Sequence, residues 1–390
     1  MNWYKQLKSN NILIIYLSKF ISGFLFFIPI RALYLEQYLF TAKNVAIIFA
    51  VEAIGIAIFE IPTGAIADIF GRKKTIIYAN LVRIIALIFL YIGGSMSMFV
   101  CYALINAFSK SLSSGTDSAL IYDTLKSNKK EYLYKKVIGK YYALWPIGAS
   151  IGSIIGGYMA KVSLSFPVLL TFIPLIISLV LTTFLIEPKY KKPKKKNLLI
   201  HINSSLKIIK TNKQLLILML GGFILMAFGQ SIHLLNPIFF KFKEIPIEHF
   251  GIISAFIFGL SSVGHYLSDN VSKIFGNKKT ILLTVTLSPF FILLSTFHNK
   301  YYSIILLIIP SLLFGFRNPI ISHLLNLEIP SNKRATIIST SHFISQIGLA
   351  IFSPILGFYT ELYSINFAYQ LSALCLLSVA FLFMFITDKK

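Results

Sequence analysis

The chain has 390 residues, 56% of them hydrophobic and only 13% charged, with a mean hydropathy of +0.75 and a formal net charge of +23. A soluble domain carries about 25% charged residues, so an ordinary soluble protein is excluded, and a β-barrel fails because its strands alternate apolar and polar residues over ~10 positions. The positive charge does not read as a nucleic-acid surface, because it is gathered in the segments between apolar runs.

Runs of about 20 mostly apolar residues, long enough to cross a bilayer as helices, recur from end to end. The expected spans are 11–34, 43–66, 75–94, 97–120, 137–160, 163–186, 214–240, 247–270, 279–297, 301–327, 334–360 and 363–386. These twelve helices define an all-α integral membrane protein. Lys5 and Lys8 precede the first run as in a signal peptide, but the run is long and lacks a small-residue cleavage site, so it reads as an uncleaved helix. With the N-terminus inside, lysines and arginines crowd the cytoplasmic segments, while the outer ones hold only Arg31, Lys43, Lys161, Lys241, Lys243 and Lys300. This positive-inside asymmetry puts both termini in the cytoplasm of a multi-pass protein of the cell membrane, a bacterial plasma membrane. Cys101 and Cys375 lie in apolar spans and form no disulfide framework.

Between the second and third spans runs GAIADIFGRKKTI, Gly64 to Ile76. A blurred copy, KIFGNKKTI, begins at Lys273; IFGRKKTII at Ile69 and IFGNKKTIL at Ile274 agree at seven of nine positions, 205 residues apart. Further on the offset is 200: Gly115 faces Gly315, Ile121 faces Ile321, and IGASI at Ile147 faces IGLAI at Ile347. The chain therefore reads as a duplication, a six-helix bundle over 1–186 and another over 214–390. Such a parallel repeat implies a pseudo-two-fold axis along the membrane normal and a central site between the halves. Joining them, residues 187–213 form a basic linker that begins EPKYKKPKKKN. Leu198, Leu199, Ile202, Leu206 and Ile209 follow at helical spacing, which predicts a short helix on the membrane surface.

Gly64, Asp68, Gly71, Arg72 and Lys73 fit the signature loop of the major facilitator superfamily, Gly-x-x-x-Asp-x-x-Gly-Arg-Lys/Arg, and the preceding EIPTG is similar to that family too. The resemblance covers the whole chain and implies alternating access. Gly64 allows close helix approach, Gly71 suits a turn of positive φ, and Asp68 can accept from the amino end of a facing helix. The resemblance implies that this is the eleventh helix, near Arg334, and that Arg72 pairs with an acid at the inner end of the fourth helix, for which Asp123 is placed. Together these residues would latch the halves. In the second copy Lys273 and Asn277 replace the aspartate and the arginine, which puts an equivalent latch there in doubt.

In the fifth span, Gly148, Gly152, Gly156 and Gly157 resemble the antiporter motif of the drug-efflux branch, with Ser153 where that branch has proline. Glycines at this spacing also form a flat packing face. The resemblance implies that the first, fourth, seventh and tenth helices line the cavity. Charges in mid-membrane are costly and face cavities or partners. Asn106, Lys110, Ser113 or Ser114, and Asp117 fall on one face of the fourth helix. The repeat sets Asp117 opposite Arg317, and Lys19 can join them. Glu52, in the second helix, competes with Asp117 as proton carrier. Arg83 is expected to snorkel to the inner surface, and His233, beside Gln230 and Asn236, to be a hydrogen-bonded structural histidine.

The leading expectation is a monomeric, proton-coupled exporter of a small amphipathic compound, a drug or toxic metabolite. Its partners are the substrate, protons and the bilayer, without nucleic acid or cofactor. The alternative is uptake of a nutrient or an anionic solute, with Lys19, Lys110 and Arg317 binding its charge. An enzyme is not expected, for the sequence has neither a nucleotide loop nor a metal cluster nor a nucleophile arrangement.

Overall fold

The structure is a computed structural model and describes residues 11–188, 208–330 and 334–387, without the side chains of 61, 64, 65, 67–69, 131, 135, 136 and 334–336. The lysine run of the linker therefore lies outside the described residues. Of its surface helix only Ile208 and Ile209 are described, Ile209 being buried beside Leu215, Met219, Ile329 and Ile337.

Sixteen α-helices are named here: α1 Asn11–Ile21, α2 Arg31–Leu39, α3 Ala42–Phe70, α4 Arg72–Ile92, α5 Met96–Ser113, α6 Thr116–Ser127, α7 Tyr134–Ala160, α8 Ser165–Leu170, α9 Phe172–Thr183, α10 Lys213–Ile224, α11 Ser231–Phe242, α12 Ile247–Phe275, α13 Asn277–Phe297, α14 Lys300–Leu327, α15 Arg334–Leu362 and α16 Ile365–Phe383. Among the described residues, ten stretches are helical, long and apolar enough to cross a membrane. The two other expected spans, the first and the fourth, are broken rather than continuous. In lipid the backbone must satisfy its own polar groups, so a break there needs local partners. In the first span, α1 ends at Ile21 and a 3-10 turn, Ile28–Ile30, leads into α2. Inside this break the Phe26 amide donates to Thr171 Oγ1 at 3.2 Å. In the fourth span, Ser114 leaves the helical region (ψ 119°) and Gly115 is left-handed (φ 74°), so α5 stops and α6 starts afresh. Across the seventh span a π-helical turn, Leu225–Gln230, joins α10 to α11.

The described chain forms two compact units, one of residues 11–34, 55–188 and 247–255, the other of 35–54, 208–246 and 256–387. Thus α3 and α12 each contribute to both. The first unit is centred on Ile14, Ile15, Ile76, Leu120, Ile121, Leu125, Tyr141 and Leu185. The second has a larger cluster that includes Ile217, Ile281, Val285, Leu324, Val379 and Phe383. Small and hydroxylated side chains fill the contacts: Ser109 donates to the Ala79 carbonyl at 2.8 Å and Ser268 to that of Phe316 at 2.7 Å. Large aliphatic residues such as Ile58, Ile92, Ile173 and Ile305 point outward. This is the pattern expected where lipid leaves no hydrophobic drive between helices and close packing holds them.

The duplication persists in detail. Helices α3 and α12 are 29 residues each, and α4 and α13 are 21 each. At the two junctions Gly71 (φ 96°, ψ 160°) and Gly276 (φ 83°, ψ 154°) share one conformation. This region is essentially reserved for glycine and costs other residues about 1–3 kcal/mol. A Cβ on Gly71 would also lie 2.9 Å from the Glu187 carboxyl. Gly71→Ala and Gly276→Ala are therefore each expected to lower stability by about 1–3 kcal/mol, read as a fall in the melting temperature of the detergent-solubilised protein.

Candidate functional site

The break in the fourth span builds the site. Because α6 begins at Thr116, Asp117 lies in its first turn, where the helix dipole favours a negative charge. Lys110 ends α5 on the other side of the break. Around the break lies a cavity of about 280 Å³, wholly within the first unit, lined by Lys19, Arg83, Lys110, Ser113, Ser114, Gly115, Asp117, Ser118, Tyr141 and Tyr142. Nine of its ten lining residues carry a charge or a hydroxyl. Lys19, Arg83, Lys110 and Asp117 are its charged members.

Asp117 is the hub. Lys19 Nζ lies 3.8 Å from its Oδ2, and the Tyr141 hydroxyl donates to the same oxygen. Lys19 also sits 4.8 Å over the Tyr141 ring, a cation–π distance. Neither charge is sealed off: 26% of the Lys19 side chain and 18% of that of Asp117 are exposed.

The expected polar stripe is corrected in its geometry. The helix breaks after Ser113, so Asp117 does not continue the face of Asn106 and Lys110, yet Lys110 and Asp117 line one cavity. Asn106 is buried outside that lining. Arg83 joins Lys19 at the cavity. Arg83, Ser118, Tyr141 and Tyr142 line the cavity without having been expected there. Glu52 is buried on the part of α3 that belongs to the second unit. Arg317 belongs to the second unit as well, donating to Ser288 Oγ at 3.1 Å and lying 5.5 Å over the Phe314 ring. His233 is hydrogen-bonded: Asn236 Nδ2 lies 3.3 Å from its Nδ1, and the Tyr369 hydroxyl donates to Asn236 Oδ1 at 2.6 Å.

At the charged loop, Arg72 Nε lies 3.7 Å from Asp123 Oδ2, both in the first unit. Burial pushes the Asp123 carboxyl above its ordinary range, with Arg72 and Lys126 pulling against it. Gly64 and Asp68 are in α3, but their side chains lie outside the described set. A residue the sequence did not single out completes the loop. Glu187 caps the amino end of α4, accepting from the Arg72 amide at 2.7 Å and the Lys73 amide at 2.8 Å. A carboxylate there satisfies otherwise orphaned donors and meets the positive end of the helix dipole.

The glycines of α7 take up the break in the first span. A Cβ on Gly148 or Gly156 would overlap the carbonyl of Phe20 or Phe26, and one on Gly152 would lie 3.0 Å from Phe24 Cα. Gly157 meets the start of α12, where a Cβ would lie 2.7 Å from the Gly251 nitrogen.

A polytopic helical chain with duplicated halves and a polar, charged cavity beside broken helices defines a membrane transport protein. The chain belongs to the major facilitator superfamily, whose sequence model matches residues 12–352. A curated relative, the uncharacterized MFS-type transporter YxaM of Bacillus subtilis (strain 168), is 29% identical over 204 residues, and the match spans about half the length of each protein. Among solved structures, the chain superposes on a mutant of the nucleoside transporter NupG with a TM-score of 0.81 at 16% identity, covering 97% of this chain and 100% of the other. A D-xylose-proton symporter gives 0.80 at 13% identity, with 97% of both chains covered. At these identities the likeness establishes the fold alone.

Proposed function

We propose that the protein is a proton-coupled secondary transporter that moves a small polar solute by alternating access, with Asp117 as its proton carrier. The carrying observation is the arrangement of Lys19, Tyr141 and Asp117 at the cavity. A carboxylate held by one cation and one hydroxyl can take up a proton and release that cation, which changes the charge of the site by one. Glu52 competes for the same role as a buried acid of the second unit. The charged wall favours a polar cargo over the amphipathic drug expected from the resemblance to the efflux branch. Cytoplasmic termini and a bacterial plasma membrane remain part of this reading, as does a division into two six-helix halves at the linker.

Export in exchange for protons is the second reading, and the glycines at 148, 152, 156 and 157 favour it through their resemblance to the efflux motif. Their packing on residues 20–26 and on Gly251 gives them a structural reason that carries no direction. Energised everted membrane vesicles containing the protein test the choice. A compound that dissipates the interior acid only in the presence of the protein is exchanged for protons. Acidification driven by a solute moving inward marks cotransport, and no protein-dependent proton movement with a varied panel contradicts coupling.

In this reading the loop is a latch. The Glu187 cap and the Arg72–Asp123 pair fix its shape, and Asp68 engages the amino end of a facing helix during the cycle. Arg72→Ala and Asp68→Asn are expected to lower transport rates about tenfold, equivalent to ~1.4 kcal/mol, at unchanged membrane insertion. Wild-type rates in both variants contradict the latch.

A further inference from the structure

From the junction of α12 and α14 in the second unit we infer a binding subsite for a small aromatic carboxylate, anchored by Arg317 and bordered by Phe314, Asn318 and His265. The inference rests on the transport reading above and gives the cargo a chemical class; the proton step at Asp117 does not enter it.

Glycine lets the two helices touch. A Cβ on Gly315 would overlap the Ser261 carbonyl, and Ser268 donates to the Phe316 carbonyl at 2.7 Å beside it. That contact brings His265 and Asn318 together. His265 Nδ1 lies 2.7 Å from the Ser261 carbonyl oxygen, which can only accept, so Nδ1 carries the hydrogen. Nε2 of the neutral ring then accepts from Asn318 Nδ2 at 3.4 Å, which leaves the Asn318 amide oxygen available as an acceptor. Both residues are exposed. At 1.5 Å per residue they sit about 7 Å or less from the midpoints of their helices, which have 29 and 28 residues. That is well inside a hydrocarbon layer about 30 Å thick. An exposed imidazole and amide at such a depth meet a water-filled cavity rather than lipid. The same faces continue at helical spacing through Asp269 on α12 and through Ser322 and Asn326 on α14, a polar track suited to a solute path.

Arg317 is the anchor. It is half-buried, and among the described residues its one hydrogen bond goes to Ser288 Oγ at 3.1 Å, with no acid paired to it. Asp269, the acid on the neighbouring face of α12, is already paired with Lys273. A guanidinium has five N–H donors in a planar fork, so most of the fork is left for a solute. The cost of a cation within a span is offset when a carboxylate brings both oxygens to that fork. Phe314 supplies the second feature. It is 42% exposed and lies 5.5 Å from the guanidinium and 5.6 Å from the His265 ring. A planar ring can pack beside it while its acid group reaches Arg317. A hydroxyl or N–H on that ring finds an acceptor in Asn318.

The test is binding by the purified full-length protein at neutral pH, read as ligand-induced thermal stabilisation over a concentration series. The probes are nicotinate and 4-hydroxybenzoate; nicotinamide, acetate and benzylamine are the neutral, ringless and cationic controls. The expected result is stabilisation by both probes beyond all three controls. Arg317→Gln should weaken nicotinate binding about tenfold or more, as for a lost hydrogen bond between charged groups. Arg317→Lys keeps the charge without the fork and should fall between that variant and the wild type. Phe314→Ala, at an exposed position, should lose about two- to tenfold, and it reads the subsite independently if Arg317→Gln does not fold. No stabilisation by either probe, nicotinamide equal to nicotinate, or wild-type affinity in Arg317→Gln overturns the anchor. Acetate equal to nicotinate, or wild-type affinity in Phe314→Ala, overturns the aromatic assignment. The vesicle assay fails or succeeds separately: nicotinate binding that depends on Arg317, without any proton movement, removes the coupled-transport reading and leaves the subsite standing.

Discussion

Asp117→Asn is expected to give a folded, membrane-inserted protein whose solute transport no longer depends on a proton gradient. Asparagine nearly matches aspartate in shape, so the Tyr141 hydroxyl keeps an oxygen to donate to, where it now donates to Oδ2. What disappears is the charge that balances Lys19 at 3.8 Å and the ability to bind a proton at that point. Accumulation driven by an imposed pH gradient should fall to the level seen without one, while downhill exchange persists. Uptake of the labelled solute with and without an imposed pH gradient measures both. If the variant still responds to the gradient like the wild type, the proton is carried elsewhere and Glu52 becomes the candidate.

The second large effect is structural. Gly156→Leu is expected to remove most of the well-folded protein. Its Cβ would overlap the Phe26 carbonyl, and the obstacle is main chain, which cannot swing aside like the end of a flexible side chain. Overpacking a tight contact costs roughly 1–3 kcal/mol, occasionally more, and here the strain falls on the break in the first span. Gly139, in the same helix, is the matched control, because a Cβ there meets nothing within 4 Å. Gly139→Ala should be neutral or gain roughly 0.5–1 kcal/mol. Yield of monodisperse protein and melting temperature report the contrast; equal behaviour of the two variants would show that the glycine face is not needed for packing.

Much of the fold could be read from the chain because lipid simplifies the problem. A span must be long and apolar, and the loops carry the asymmetric charge, so the expected segments coincide with the helices even where two are broken. The repeat was legible for a physical reason: Gly71 and Gly276 occupy a conformation that tolerates little else, so their neighbourhoods stayed alike. The breaks were harder. Hydropathy averages over 20 residues and passes through SLSSG without a mark, although serines and glycine together are a turn signal. The pair Gly115 and Gly315 shows the limit of symmetry as a guide. Gly115 turns the chain at positive φ with nothing within 4 Å of a Cβ, whereas Gly315 stays helical and packs against Gly264.

The same averaging hid Arg83 and Glu187. A lone arginine in a span reads as snorkelling until its neighbours are known, and no periodicity on α4 announces that α1 brings Lys19 to the same space. Glu187 stands 115 residues from Arg72 and opens a lysine-rich run, so it reads as part of a solvated linker. Asp117, Lys19 and Lys110 were recognisable because charge in a membrane span demands a reason. Arg72 and Asp123 were recognisable through the loop motif.

The most direct test of the central claim is the internal pH of proteoliposomes containing the purified protein, followed after outside addition of a candidate solute with no gradient imposed. The account predicts that a small polar solute acidifies the interior in the wild type but not in Asp117→Asn. Alkalinisation by an added solute would contradict it and establish proton exchange instead.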